Sequence, residues 1–134
     1  MTSATPAVIL SIGTELTRGE IQNTNATWLA ERLTALGLDV VSIESVADDA
    51  GAIVNALGRA SGAARLVVST GGLGPTTDDI TSATVAAWLG VRQVRDPGVI
   101  ARLEQRLARA GRTLTASNSQ QADFPEGARI LDNP

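Results

Sequence analysis

The sequence predicts a three-layer α/β/α fold with a mostly parallel sheet, and three observations support this prediction. Short apolar runs rich in Val, Ile and Leu alternate with longer segments of helical periodicity. Glycine follows several of the helical segments directly, where helices commonly end. The 134 residues fall within the usual size of one domain. Alternating β and α segments of this kind are typical of parallel sheets covered by helices on both faces.

The first half of the chain contains two strand and helix pairs. The run AVILSI at residues 7–12 is short, apolar and β-branched, which predicts a central strand buried on both faces. Residues 25–36 carry apolar side chains at helical spacing, and Gly37 follows where a helix C′ glycine belongs. Residues 38–46 alternate like a second strand, and residues 52–59 predict a second helix.

The second half begins with a strand that runs into glycines. Residues 66–69 predict a third strand, followed by a glycine-rich turn at 70–76 and a helix from about Asp79 to Leu89. A further helix is expected from Asp96-Pro97 to Gly111, because Asp suits the cap and Pro the first helical position. The tail predicts a short polar helix near residue 118, a turn at Phe124-Pro125 and a short strand at 128–131.

Composition excludes several classes of chemistry. The chain has no Cys and no His, which rules out disulfides, thiolate nucleophiles and histidine-based triads or zinc sites built from its own residues. All of its basic residues are Arg, and its net charge of −3 argues against non-specific nucleic-acid binding. The N-terminal residues do not resemble a signal peptide, and no apolar run reaches the roughly 20 residues that span a bilayer. A cytoplasmic protein is therefore expected.

The candidate site follows from the predicted sheet. In an open parallel sheet, ligands bind beyond the carboxyl ends of the strands, where loops from distant parts of the sequence converge. Three such loops carry unusual polar residues: 13–15, 48–49 and 70–79. Glu15 in the first loop fits a ligand contact better than a solvated surface carboxylate. Asp48 and Asp49 fit a ligand role and an acidic helix cap equally well.

The glycine-rich loop is the strongest candidate for binding a phosphate. Gly71, Gly72 and Gly74 lack Cβ, so the backbone can turn tightly and direct several N–H groups into one concavity next to a helix N-terminus. Hydroxyls that can join the same anion site come from Thr70, Thr76 and Thr77. The alternative is a plain strand-to-helix turn. The pattern matches neither the Walker motif nor GxGxxG.

Two adjacent carboxylates follow this loop. Asp78 and Asp79 stand where the next helix is predicted to begin, and one of them suits its N-cap. Two carboxylates beside a phosphate are electrostatically unfavourable unless a cation or a sugar hydroxyl partners one of them. A divalent cation such as Mg²⁺ is a reasonable hypothesis, with Glu15 as a further ligand. Near the first helix, residues 23–25 predict a helix cap, and Asn25 is a candidate ligand contact.

These motifs resemble the N-terminal, molybdopterin-binding-type domain of the CinA (competence/damage-inducible protein A) family. The resemblance is carried by GTEL at residues 13–16, NTN at 23–25, VADD at 46–49 and above all TGGLGPTTDDIT at 70–81. Residues in the tail, including Asn118, Gln120-Gln121 and Asn133-Pro134, also fit. The likeness covers nearly the whole chain.

The resemblance implies a molybdopterin-binding-like fold, a phosphate or diphosphate on the glycine loop, and catalytic roles for Asp48 and Asp79. It implies metal-dependent ADP-ribose pyrophosphatase activity, with K⁺ as a further cation, in proteins linked to pyridine nucleotide recycling. It also implies homo-oligomers, and a separate amidase domain for nicotinamide mononucleotide deamidation that residues 1–134 lack. The family's domain continues with a glycine-rich segment beyond Asn133-Pro134, so a single domain shortened at its C-terminal end is expected.

Three functions remain open at this stage. The first is a metal-dependent diphosphate hydrolase acting on ADP-ribose. The second is molybdopterin binding or adenylyl transfer in molybdenum cofactor biosynthesis, which uses the same loop and aspartates with a pterin pocket. The third is a module that binds a nucleotide without turning it over. In each case the expected partner is a small nucleotide or pterin, with no membrane.

Overall fold

Residues 3–133 are described by the computed structural model, in which the chain divides into two units. The first unit is Met1–Gly72 and the second is Leu73–Pro134. In chain order the first contains β1 Pro6–Ile12, α1 Thr14–Thr17, α2 Thr24–Ala35, β2 Asp39–Val46, α3 Ala50–Ala63 and β3 Leu66–Thr70. The expectation of a single domain over residues 1–134 stays a prediction.

The first unit is built on a parallel sheet. The strand order is β2-β1-β3, and both neighbours run parallel to β1. Ile9 of β1 lies opposite Ile43 of β2 and Val68 of β3. The prediction that residues 7–12 form a central strand is therefore confirmed. All six residues from Ala7 to Ile12 are buried, as their continuous apolar run requires.

Helices cover this sheet on both faces. Ala7 and Ile9 form a core cluster with Ala26 and Leu33 of α2. Because side chains alternate along a strand, the intervening β1 residues point to the opposite face. Helix α3 contacts all three strands and buries its own apolar stripe, which has no member in the α2 cluster. We therefore place α3 on the second face, which gives this unit a helix, sheet and helix layering.

The second unit is mainly helical with a small two-stranded sheet. It contains α4 Thr81–Leu89, β4 Gln93–Arg95, α5 Pro97–Arg109, α6 Ala116–Ser119, a 3₁₀ turn Gln120–Ala122 and β5 Asp123–Pro125. Strands β4 and β5 pair antiparallel. Asp96 caps α5 as predicted, since its Oδ1 accepts a hydrogen bond from Val99 N at 2.8 Å and Pro97 follows it.

Three expectations for the second unit are wrong. Helix α4 begins at Thr81 and not at Asp79, its N-cap is Ile80, and no side chain caps it. Residues 128–131 form no strand; the strand of the tail is β5, at the position predicted to be a turn. Strand β4 was not predicted. Its three residues are too few to show a periodicity, and only pairing with β5 defines them.

The predicted α/β class with a parallel sheet is confirmed, and the helix ends in the first unit lie within a few residues of the predicted ones. Within residues 3–133, none of the helices combines the length and the apolar character that crossing a membrane would demand.

Candidate functional site

The three parallel strands of the first unit end at one edge of the sheet, and each is followed by a predicted site loop. Gly13 follows β1, Ala47 and Asp48 follow β2, and Gly71 follows β3. Gly13 N donates a hydrogen bond to Val46 O at 2.9 Å, which joins the first two loops where the strands end. The predicted convergence is therefore present for the loops of this unit.

Thr14 and Asp48 lock together by a reciprocal pair of hydrogen bonds. Thr14 N donates to Asp48 Oδ2 at 3.0 Å, and Asp48 N donates to Thr14 Oγ1 at 3.1 Å. Both residues are half-buried. Within residues 3–133 the second carboxylate oxygen of Asp48 has no hydrogen-bond partner. The arrangement fixes the aspartate in place and leaves one oxygen able to accept a proton or contact a cation.

Asp49 has a different role from its neighbour. Its Oδ1 accepts a hydrogen bond from Ala52 N at 2.8 Å, so it is the N-cap of α3. From the sequence, a helix cap and a ligand role were equally possible for Asp48 and Asp49. The structure assigns the cap to Asp49 and places Asp48 at the sheet edge against Thr14.

The turn after β3 lies against the end of β1. Gly71 and Gly72 have φ of 91° and 65°, a region that residues with a Cβ rarely adopt. A Cβ on Gly71 would lie 1.9 Å from Ile12 O, which is backbone and cannot rotate away. The tight turn expected from these glycines is present, and it draws the third loop onto the first. Only glycine fits at position 71.

Hydroxyl groups line the same end of the sheet. Ser11 of β1 lies in register with Ser45 of β2 and Thr70 of β3, so the three side chains share one face. Ser11 Oγ is fully buried and has no hydrogen-bond partner within residues 3–133. Asn23, the N-cap of α2, donates from Nδ2 to Ser45 Oγ at 3.3 Å. Nothing in the sequence marks Ser11 as a site residue, because a single serine in an apolar run resembles a residue of the core.

Glu15 and Asn25 lie close to this edge without fixed partners. The Glu15 carboxylate folds back over Gly13, where an added Cβ would be 2.6 Å from Oε1. Asn25 is exposed in the first turn of α2, while Asn23 caps that helix by accepting from Ala26 N at 3.2 Å. Neither the Glu15 nor the Asn25 side chain makes a hydrogen bond in the described part of the chain. Their ligand roles stay predictions.

In the second unit, the Asp79 carboxylate closes the loop that precedes α4. Its Oδ2 accepts hydrogen bonds from Thr76 N at 2.9 Å and from Thr76 Oγ1 at 2.8 Å. Burial opposes ionisation of Asp79, but hydrogen bonds from Thr76 and from Gly74 N together hold its pKa below the ordinary value. A Cβ on Gly74 would lie 2.6 Å from Asp79 Oδ2. Asp79 therefore holds the loop together by accepting hydrogen bonds from other residues of the same loop.

This arrangement changes the expected roles of the loop residues. The sequence predicted that Asp78 or Asp79 caps α4, and neither does. The Thr76 amide and hydroxyl, expected to face an anion, already donate to Asp79. Thr77 and Asp78 are exposed, and their side chains make no hydrogen bond within residues 3–133.

Gln120, from a distant part of the sequence, donates hydrogen bonds to the carbonyl oxygens of the same loop. Its Nε2 donates to Thr76 O at 2.7 Å and Gly74 O at 2.9 Å, and lies 3.4 Å from Asp79 O. Gln120 comes more than 40 residues after this loop, which no local pattern can predict. In the sequence it stood out only as one of the tail residues that fit the resemblance, with no role attached.

The carboxylates of this chain suit a divalent cation only if a substrate supplies further oxygen ligands. Within residues 3–133 no group of three or more Asp or Glu side chains lies close enough to hold a metal ion. Mg²⁺ is usually bound by one or two carboxylates together with phosphate oxygens of a substrate, and not by a complete protein cage. The free oxygen of Asp48 and the unpaired carboxylate of Glu15 are donors of the right chemistry for that mode.

Comparison with known proteins bears on the family. Residues 8–127 match the family described as "Probable molybdopterin binding domain". A "CinA-like protein" of Gloeobacter violaceus is 46% identical over 131 residues, which is 98% of this chain and 31% of that protein. A "Putative competence-damage inducible protein" of Lacticaseibacillus casei is 42% identical over 127 residues, 95% of this chain and 31% of that protein.

A solved structure shows to which family the chain belongs. The structure of "the protein CinA with unknown function" from Thermoplasma acidophilum superposes with a TM-score of 0.88 and 33% identity, covering 99% of this chain and 78% of that one. This chain belongs to the CinA family. The resemblance named from the sequence is thereby confirmed.

More distant structures share the fold of this CinA-family chain. The "tungsten cofactor synthesizing protein MoaB" of Pyrococcus furiosus superposes with a TM-score of 0.60 at 24% identity, over 82% of this chain and 69% of that one. At this identity the likeness shows the fold alone. The chain spans about a third of the length of the CinA-like relatives, 31% in both named cases.

Proposed function

We propose that this CinA-family domain binds a nucleotide diphosphate and hydrolyses ADP-ribose to AMP and ribose 5-phosphate with the help of a divalent cation. The observation that carries the proposal is the locked pair of Thr14 and Asp48 at the carboxyl edge of the parallel sheet. A carboxylate fixed by the protein, with one oxygen free, is suited to orient a water molecule or a cation. The chemistry needs neither His nor Cys, which the chain lacks.

Residues at the carboxyl edge of the sheet divide the work of binding and hydrolysis among them. A phosphate can approach the backbone of the Gly71-Gly72 turn closely because neither residue has a side chain. Asp48 accepts the proton of the attacking water, and Thr14 keeps its carboxylate in position. Glu15, whose carboxylate has no fixed partner, would hold the cation. The cation, when bound, neutralises charge that develops on the diphosphate oxygens.

Two other functions compete with this proposal. Molybdopterin binding is favoured by the family description that matches residues 8–127. A non-catalytic nucleotide-binding module would use the same Gly71-Gly72 turn and the hydroxyl groups of Ser11, Ser45 and Thr70. Each makes a different prediction: a pterin protein is stabilised by pterin phosphate more than by nucleotides, and a module is stabilised by ADP-ribose without turning it over.

The deciding experiment is a product assay on this chain with ADP-ribose and Mg²⁺ or Co²⁺. We expect AMP and ribose 5-phosphate in equal amounts, and none when the cation is removed with a chelator. Thermal stabilisation by ADP-ribose without AMP would support the non-catalytic module. Stabilisation by molybdopterin alone would support the pterin function, and either result would overturn the hydrolase proposal.

A further inference from the structure

Three residues with hydroxyl groups lie side by side where the parallel strands of the first unit end. Ser45 is the last residue but one of β2, Ser11 the last but one of β1, and Thr70 the last of β3. Their register places the three side chains on one face of the sheet. It is the face that α2 covers, because Ala7 and Ile9, which alternate along β1 with the same period as Ser11, pack against α2.

Asn23, the N-cap of α2, joins this helix to Ser45. Its Oδ1 accepts a hydrogen bond from Ala26 N at 3.2 Å, and its Nδ2 donates one to Ser45 Oγ at 3.3 Å. One lone pair of the Ser45 oxygen is therefore occupied, while its O–H proton has no acceptor within residues 3–133. Ser45 is exposed, so that proton can meet a ligand at the end of the sheet. The N-terminus of α2, the positive end of the helix dipole, lies beside it.

Ser11 supplies the observation that points to a ligand. Its Oγ is fully buried and has no hydrogen-bond partner in the described part of the chain. An unpaired buried hydroxyl is unfavourable, and an apolar side chain of similar size would avoid that loss. Ser45 is its neighbour in register on β2, and neighbouring strands lie about 4.8 Å apart, so the two hydroxyls can come within hydrogen-bond reach. A change of rotamer would let Ser11 donate to the second lone pair of Ser45.

The two donors determine which ligand suits Ser45. With Asn23 and Ser11 both donating to its oxygen, Ser45 has no lone pair left and acts only as a donor. A phosphate oxygen, which only accepts, fits that role better than a sugar hydroxyl, whose own proton would find no acceptor there. The Gly71 turn lies against the end of β1, and Ser45 lies on the neighbouring strand. A ligand that reaches both spans about one strand spacing, which suits a diphosphate better than a single phosphate.

We propose that Ser45 binds the second phosphate of the diphosphate by donating its hydroxyl proton, and that Asn23 and Ser11 are positioning residues that donate to the Ser45 oxygen. The first phosphate lies on the Gly71-Gly72 turn, as in the proposed function, on which this inference rests. Ser11 gains its hydrogen bond when Ser45 turns to the ligand, so binding relieves the unpaired hydroxyl of the free chain. These serines bind the substrate and take no part in the proton transfer assigned to Asp48.

The test is a calorimetric titration of inorganic pyrophosphate, with Mg²⁺ present, into this chain and its alanine variants. Ser45→Ala should weaken binding about tenfold, the loss of one hydrogen bond to a charged group. Ser42→Ala is the matched control, because Ser42 is exposed on the same strand but lies in register with Val8, on the opposite face. It should bind like the wild type. Equal affinity of Ser45→Ala and the wild type, or no binding by the wild type at millimolar pyrophosphate, would overturn the proposal.

Ser11→Ala should give a pair of results that a purely structural role would not. The change removes an unpaired buried hydroxyl, so the midpoint of thermal unfolding should stay the same or rise. Pyrophosphate binding should nevertheless weaken about fivefold, because Ser45 loses one of the donors that orient it. Unchanged binding, or a lower midpoint, would overturn the positioning role of Ser11.

Two comparisons separate this contact from its alternatives. Inorganic phosphate, which needs only the turn, should bind Ser45→Ala as it binds the wild type, and equal weakening for both probes would overturn the assignment to the second phosphate. If ADP-ribose is not hydrolysed but pyrophosphate binding depends on Ser45, the hydrolase proposal fails and the contact stands. If ADP-ribose is hydrolysed with the same KM by Ser45→Ala and the wild type, the contact fails and the hydrolase proposal stands.

Discussion

At the scale of single residues, Asp48 and Asp49 show how neighbours of identical chemistry take separate roles. The Asp49 carboxylate accepts from Ala52 N at the start of α3, whereas Asp48 shares reciprocal hydrogen bonds with Thr14. The difference comes from their order in the chain. The residue nearest the strand meets the neighbouring loop, and the next one meets the helix.

Gly71 is expected to tolerate no side chain. Gly71→Ala places a Cβ against Ile12 O at 1.9 Å in a backbone region unfavourable for Ala. We expect the free energy of unfolding to fall by roughly 2–5 kcal/mol, measured by urea denaturation. The control is Gly58→Ala in α3, where a Cβ meets nothing within 4 Å. It should stabilise the chain by about 0.5–1 kcal/mol. Equal effects of the two changes would refute the account of the turn.

Asp79 is expected to make the loop before α4 sensitive to acid. Its pKa is lowered in the folded chain, so its carboxylate stabilises the fold above the ordinary Asp pKa, and this contribution is lost as the pH falls through the lower folded value. At neutral pH Asp79→Asn should cost about 1 kcal/mol, because the amide is a weaker acceptor.

The pH dependence of that cost is the diagnostic measurement. Urea denaturation from pH 7 downward should show the gap between wild type and Asp79→Asn closing below about pH 4. Asp78→Asn, at an exposed neighbour without hydrogen bonds in the described part of the chain, should retain the acid-dependent contribution of Asp79. A gap that stays constant with pH would mean that the Asp79 charge does not hold the loop.

At the scale of elements, caps set where several helices begin. Asp96 accepts from Val99 N and precedes Pro97 at the first position of α5. Asp96→Ala should lower the free energy of unfolding by about 1 kcal/mol, whereas Asp96→Asn, which keeps an accepting oxygen, should cost much less. Urea denaturation of both variants checks this. Equal losses would show that the charge, and not the cap, is what Asp96 supplies.

Elements specified by local sequence could be predicted, and those specified by distant partners could not. β1 and α5 follow from an apolar run and from an Asp-Pro start, so their ends lie close to the expected ones. The start of α4 was placed too early because Asp79 resembles a cap, whereas its carboxylate turns back to Thr76. Strands β4 and β5 exist only through each other and carry no periodicity of their own.

At the scale of the whole molecule, topology explains how much of the candidate site the sequence revealed. Parallel strands send their following loops to one edge, so the approach of Thr14 to Asp48 and of Gly71 to the end of β1 was predictable in outline. The individual partners were not. The bond between Thr14 and Asp48 joins residues 34 positions apart, and that from Gln120 to Gly74 spans 46. Only the folded chain brings such pairs together.

The proposed role of Asp48, locked against Thr14, in the hydrolysis of ADP-ribose is tested most directly by comparing turnover by Asp48→Asn with turnover by Asp49→Asn. Asn keeps an oxygen that accepts from Thr14 N in one case and from Ala52 N in the other, so both variants should fold, each with a loss of at most about 1 kcal/mol in the free energy of unfolding. We predict that Asp48→Asn lowers kcat on the order of 100-fold or more, because the proton acceptor is lost. Asp49→Asn should retain full activity. Wild-type turnover by Asp48→Asn would contradict the account.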